Sequence, residues 1–140
     1  MTNLRKRLSR LYAEDVVDSL AARIEARVQQ TQQRKLTRKD QWDEKDIVLI
    51  TYGDQFKEES QKTLTTFKKM YDSYLKSAFE IVHFLPFYPY SSDDGFSVID
   101  YKAVNPELGD WKDIKEMEKS ARLMFDFVCN HMSAKSDWFK

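Results

Sequence analysis

Residues 83–101 read HFLPFYPYSSDDGFSVIDY. The stretch opens as an apolar, aromatic strand and breaks at Tyr90 into two serines, two adjacent aspartates, a glycine and Phe96. A buried strand that runs straight into paired carboxylates and a ring sets a polar loop on a rigid support, which is where binding residues concentrate. The flanking segments decide what fold provides that support.

On the N-terminal side, Ile47-Val48-Leu49-Ile50-Thr51-Tyr52 is a continuous run rich in β-branched residues, ended by Gly53-Asp54. Without polar alternation, it predicts a strand buried on both faces. Thr63 to Leu75 carries Leu64, Phe67, Met70, Tyr71, Tyr74 and Leu75 at helical spacing, and Phe79 to Phe87 predicts a second strand. Beyond the loop, Trp111 to Lys119 predicts a helix around Ile114 and Met117, and Arg122 to Cys129 (RLMFDFVC) a third strand. Strand, helix, strand, long loop, helix, strand is the order of βαβ units, so the fold class is α/β with a parallel sheet. The three glycines, Gly53, Gly95 and Gly109, fall in predicted turns, and none belongs to a GxGxxG or GxxxxGKS/T phosphate cradle.

Ahead of the sheet, Leu4, Leu8, Leu11, Tyr12, Val16, Leu20, Ile24 and Val28 recur at spacings of three and four. That stripe predicts an N-terminal amphipathic helix, packed on its own domain or serving as a partner contact. Residues 1–30 are expected as a helical extension, 31–46 as a polar linker and 47–140 as the α/β domain. In the linker, Arg34, Lys35, Arg38 and Lys39 are followed at once by Asp40, Asp43 and Glu44, which cancel their field. Over the chain, 23 Lys and Arg balance 23 Asp and Glu, which argues against a nucleic acid or anionic membrane held by bulk charge. Aromatics, 14% of residues, concentrate after Gln41 and suit a packed core or a sugar-stacking surface. The single Cys129 rules out an internal disulfide and fits a reducing compartment. With no signal-peptide core and no run of transmembrane length, the chain is expected to be soluble and cytoplasmic.

Parallel α/β folds bind ligands at the carboxyl ends of their strands. Tyr52-Gly53-Asp54, the Tyr90–Tyr101 loop and Asn130-His131 occupy those ends. Asp126 is the odd residue of FDFVCNH, a carboxylate among Phe125, Phe127 and Val128 that calls for a partner or a site role. His131, Asp126, Asn130 and Asp93 offer nitrogen and oxygen donors, but no HxxxH or CxxC spacing organises them into a metal site. His83 sits early in its strand and is expected in the core, away from the mouth. Cys129 is expected as a small buried hydrophobe.

Phe87 to Tyr101, Val104 to Trp111 and Leu123 to His131 together resemble the sucrose phosphorylase and glucosylglycerate phosphorylase group of the alpha-amylase family (glycoside hydrolase family thirteen). Asp126-x-x-x-Asn130-His131 matches that family's first conserved segment, and Ser91-Ser92-Asp93-Asp94-Gly95-Phe96 stands at the right distance upstream. The resemblance spans about residues 47–140, and the N-terminal helix is similar to the extension of relatives acting on glucosylglycerate. It implies a (β/α)₈ barrel with its site at the C-terminal mouth, of which this chain holds the first three βα units. It implies that Asp93 accepts hydrogen bonds from a bound glucosyl unit, that His131 hydrogen-bonds the same sugar, and that Phe96 walls the ring. Asp126 and Asn130 are implied as supports of the mouth, Asp126 through an arginine of a fourth strand, and Gly95 lets the chain turn beneath Asp93.

The implied chemistry is retaining transfer of an α-glucosyl unit through a covalent glucosyl-enzyme, with one carboxylate as nucleophile and one carboxylic acid protonating the leaving group. Phosphate then replaces water and releases glucose 1-phosphate. The implied partners are a small glucoside and inorganic phosphate, with no metal and no organic cofactor. Related amylases bind calcium through a residue like Asn130, whereas the phosphorylases do without it. A complete barrel takes roughly 250 residues. The expectation is therefore the N-terminal part of a glycosyltransferase-type phosphorylase, inactive by itself for want of the catalytic carboxylates and marginal at its open sheet. A fragment of an amylase-type hydrolase or transglucosidase, and a non-catalytic sugar-binding or interaction module, stay open as alternatives. So do the acceptor (fructose, glycerate or glycerol) and the oligomeric state.

Overall fold

The stripe from Leu4 to Val28 does not run as one helix. In the structure, a computed structural model that describes residues 2–32 and 42–140, it is divided between α1 (Thr2–Leu8) and α2 (Glu14–Gln32). Ser9 ends α1 by donating its hydroxyl to the Lys6 carbonyl at 3.2 Å, and Glu14 and Asp15 start α2, where the helix dipole favours acidic side chains. Leu8, Val17 and Ala21 form the buried contact of this pair, flanked by Leu4, Leu20 and Ile24. Leu11 and Tyr12 fall in the bend and stay exposed. These helices belong to a compact unit, Met1–Asp40, and the sheet to a second, Gln41–Lys140. Most of the expected 31–46 linker, with Arg34, Lys35, Arg38 and Lys39, lies outside the described residues.

The second unit is built on three parallel strands, β1 (Val48–Thr51), β2 (Ile81–Phe84) and β3 (Arg122–Phe125), in the order β1-β2-β3. The helices α3 (Thr63–Met70) and α4 (Trp111–Glu118) make the two crossovers, which is the predicted α/β order. The helix of 63–75 is predicted as one piece. From Tyr71 to Leu75 it widens by one residue per turn, closing on the Lys76 amide, and Tyr71 donates its hydroxyl to the Phe79 carbonyl at 2.5 Å.

Register decides which side chains are core. Leu49 pairs with Val82 and Val82 with Leu123, while Ile50 pairs with His83 and His83 with Met124. Because side chains alternate, the first set shares one face and the second set the other. Leu49, Val82, Phe84 and Leu123 pack against Leu64, Phe67 and Tyr71 on the α3 side and Ile114 and Met117 of α4. The opposite face is open, with Ile50 62% and Met124 38% exposed. The first strand, predicted as buried on both faces, is therefore covered on the helix side alone. This is an open parallel sheet, as an unclosed segment of a (β/α)₈ barrel requires.

The strands are shorter than the apolar runs suggest. Pro86 has no N–H to donate, so β2 ends at Phe84 instead of Phe87. β3, which pairs with β2 up to Phe125, consequently stops there instead of at Cys129. At the other end of the sheet Arg122 bridges Asp46 and Glu80, tying together the N-terminal ends of all three strands. Among the described residues, no helix is long and apolar enough to cross a membrane.

Asp110 caps α4 in a reciprocal box. Its carboxylate accepts from Lys112 N at 2.6 Å and Asp113 N at 3.3 Å, while Asp113 accepts from Asp110 N at 2.9 Å. Asp110→Ala is expected to lower the unfolding free energy by about 1 kcal/mol. Phe67→Ala, which empties the centre of the core, is expected to lower it by about 3–5 kcal/mol. Urea unfolding followed by circular dichroism measures both.

Candidate functional site

The segment after β2 is a closed hairpin instead of a loose loop. Ile99 N donates to Pro89 O at 2.7 Å, Ser91 N to Ser97 O at 3.0 Å, and Tyr90 bridges Val98. Its tip holds Asp93, Asp94 and Gly95 in succession at φ of 61°, 48° and 100°. Three consecutive left-handed residues exclude β-branched or bulky side chains, whereas aspartate tolerates that region and glycine has no cost there. A Cβ on Gly95 would also lie 2.9 Å from the Pro86 carbonyl oxygen. The Asp-Asp-Gly sequence thus suits the left-handed backbone of this turn.

The segment leaving β3 is fastened along this hairpin. Ser133 N donates to Val98 O at 2.9 Å, the Ser91 and Ser133 hydroxyls meet at 2.6 Å, and Tyr101 donates its hydroxyl to Val128 O. His131 is held on both ring nitrogens. Asn130 Nδ2 donates to His131 Nδ1 at 2.7 Å, so Nδ1 is the acceptor, and Nε2–H donates to Phe96 O at 3.2 Å. Those two contacts match an imidazole that donates from Nε2. The structure therefore brings Phe96, Asn130 and His131 together around a backbone contact. A hydroxyl approaching Nε2 must displace the Phe96 carbonyl.

Asp126 meets a histidine within the sheet: His83 Nε2 lies 3.2 Å from Asp126 Oδ2. His83 is half-buried on the open face of the sheet beneath the strand ends, so its placement in the core away from the mouth is corrected. The signal was available in part. In a parallel sheet His83 and Asp126 share a face if Met124 is the partner of His83, but the register itself is not written in the residues. Cys129 is exposed, contrary to its reading as a buried hydrophobe, because the chain has left the sheet four residues earlier.

Four carboxylates act on one phenol at the mouth. Desolvation, then the charges of Asp94, Asp126, Asp54 and Asp93 in that order, hold Tyr52 above the usual phenol range. A cleft of about 270 Å³ there is lined by Tyr52, Asp54, Tyr90, Asp94, Asn105 and Glu107. A wider aromatic cleft of about 760 Å³ includes Tyr88, Tyr101, Phe127, Asn130, His131 and Trp138. Tyr101 stacks on Trp138 with centroids 6.0 Å apart, and Lys102 Nζ sits 5.3 Å from the Trp138 ring centroid. Asp93, exposed at the hairpin tip, lines neither cleft; its neighbour Asp94 lines the smaller one. The aromatic cleft and Asp94 were not singled out from sequence, since their placement depends on how the two post-strand segments pack. Among the described residues, no group of three or more His, Cys, Asp or Glu side chains could hold a metal ion.

Residues 51–140 match the family described as alpha amylase, catalytic domain. The chain is 55% identical over 124 residues to the glucosylglycerate phosphorylase of Escherichia coli (strain K12), covering 89% of this chain and 22% of that protein. It is 40% identical over 93 residues to the sucrose phosphorylase of Streptococcus mutans, covering 66% of this chain and 18% of that one. Among solved structures it is similar to the sucrose 6F-phosphate phosphorylase from Thermoanaerobacter thermosaccharolyticum, with TM-score 0.63 and 33% identity over 71% of this chain and 20% of that one. The chain thus spans about a fifth of the length of the curated relatives it matches. The 124 residues aligned with the E. coli protein exceed the sheet unit Gln41–Lys140, so that likeness reaches into the helical unit.

Because neutral Tyr52 is favoured in the folded state, its contribution to stability is complete below the ordinary phenol pKa. It is lost as the pH rises through the raised value. Asp94→Asn is expected to move the Tyr52 titration down toward the usual phenol range, as followed by ultraviolet absorbance. A Tyr52 titration indifferent to Asp94 would contradict the placement of that carboxylate.

Proposed function

The chain belongs to the alpha-amylase catalytic-domain family, in the group of the glucosylglycerate and sucrose phosphorylases, and from that premise we propose that it is the N-terminal part of a retaining α-glucosyl phosphorylase. The observation that carries this reading is the rigid Pro89–Ile99 hairpin, pinned at the C-terminal ends of the strands to the segment bearing Asn130 and His131. In a (β/α)₈ enzyme that end is where substrate is bound.

On this reading residues 47–140 belong to the catalytic domain and residues 1–30 form an extension. Asp93 accepts hydrogen bonds from hydroxyls of the glucosyl unit, Phe96 walls its ring, and His131 donates from Nε2 after releasing the Phe96 carbonyl. Asn130 sets the His131 tautomer, Asp126 supports the strand end, and Gly95 makes the turn. On this reading the carboxylates that attack the anomeric carbon and protonate the leaving group come from parts of the whole protein other than residues 1–140. Inorganic phosphate is the co-substrate that takes up the glucosyl unit as glucose 1-phosphate. Glycerate is the favoured acceptor in reverse, because identity is higher to the glucosylglycerate enzyme and the likeness includes the helical unit.

The reading makes two demands. Purified 1–140 mixed with phosphate and either glucosylglycerate or sucrose is expected to release no glucose 1-phosphate, measured by a coupled enzymatic assay; release would show that catalysis needs nothing more than this segment. Glucose is expected to perturb the Phe96 and His131 amide signals weakly in the wild type and less in Asp93→Ala. Superimposable titrations of the two would remove the sugar contact from Asp93.

A further inference from the structure

We propose that His83 is a positioning residue, which holds Asp126 and through it the strand-end segment that presents Asn130 and His131. The inference rests on the reading of that segment as part of the sugar mouth. Register places His83 between Ile50 and Met124 on the open face of the sheet, and Asp126 follows Met124 by two residues toward the same side. An imidazole in a layer of Ile50 and Met124 is costly there unless it is hydrogen-bonded. Its partner is the Asp126 carboxylate at 3.2 Å, with the two side chains 17% and 25% exposed. Nε2–H donates and the carboxylate accepts.

The position of the pair gives it leverage. Asp126 is the first residue past β3, where ladder pairing has ended. Downstream, Val128 O, His131 and Ser133 N are held by Tyr101, Phe96 O and Val98 O, from the hairpin after β2 and the residues that follow it. The His83 contact is the restraint that comes from the strand layer itself. Residues 126–133 are thus anchored at their start by β2 and at their end by the hairpin, with Asn130 and His131 between. Release of the first anchor lets the segment shift along the second, and the bond most exposed to that shift is the 3.2 Å contact from His131 Nε2 to Phe96 O.

The test reads the His131 ring in ¹⁵N-labelled 1–140 by long-range ¹H–¹⁵N spectra. Wild type is expected to show protonated Nε2 and unprotonated Nδ1. His83→Leu, which fills the volume without a donor, is expected to average the two nitrogen shifts toward a tautomer mixture while the Val82 and Phe84 amide signals persist. His83→Gln, which offers an amide N–H in place of Nε2–H, is expected to restore the wild-type pattern. A space-filling role alone predicts no rescue by Gln. Should His83→Leu fail to fold, Asp126→Ala breaks the same link from the other side and is expected to give the same averaging. An unchanged His131 ring in either variant, or a Gln variant as disturbed as the Leu variant, overturns the proposal. No sugar, phosphate or turnover enters this readout, so failure of the phosphorylase reading and failure of the His83 role are separately visible.

Discussion

The pairing of Leu49 with Val82 and of Val82 with Leu123 is the constraint from which the rest of this unit follows. A slip of one residue in either ladder would turn Val82, Phe84 and their neighbours away from the helices and bring His83 into the core. The packing that resists the slip is aromatic. Phe67 meets Phe84 edge-on with centroids 5.0 Å apart, and Phe56 and Tyr71 flank Phe67. The polar network at the opposite end of the strands, Arg122 with Asp46 and Glu80, sets the same register from below. With register fixed, the carboxyl ends of the three strands deliver Tyr52, the hairpin and Asp126 to one edge of the sheet.

What those ends hold is rigid because two segments brace each other. The hairpin supplies carbonyls from Phe96 and Val98, and Tyr101 just past it a hydroxyl; the segment after β3 supplies His131, Ser133 and Val128. Neither is a regular element, yet each pairs backbone groups with the other, as Ser133 N does with Val98 O and His131 with Phe96 O. The left-handed turn at Asp93, Asp94 and Gly95 is costly for the two aspartates and is held by the hairpin ladder, with the Pro86 carbonyl close against Gly95. Binding loops on a rigid scaffold gain affinity because the cost of ordering them is met on folding rather than on binding.

The fold was legible wherever local pattern and global fold agree. The strand cores at Val48–Thr51 and Ile81–Phe84 and the helix beginning at Trp111 stand where the apolar patterns placed them. The two family segments, around Asp93 and around Asn130-His131, were legible because each is a short contiguous run. What was not legible depended on contacts between distant residues. The partnership of His83 with Asp126 needs the inter-strand register, and the exposure of Cys129 needs to be known from where β3 ends, which Pro86 of another strand decides. The bend between α1 and α2 carries neither glycine nor proline, so the apolar stripe passes through it unmarked.

The claim on which this account stands is that the segment from Pro89 to Ile99 is preorganised on the sheet and locked to the chain after β3, and native-state amide hydrogen exchange tests it most directly. In 1–140, the amides of Ser91, Ile99 and Ser133 are predicted to exchange as slowly as those of Val82 and Phe84, since breaking the brace requires opening the unit that carries it. Exchange of those three amides at the rate of free peptide, with Val82 and Phe84 still protected, would show a mobile loop on a folded sheet and contradict the account.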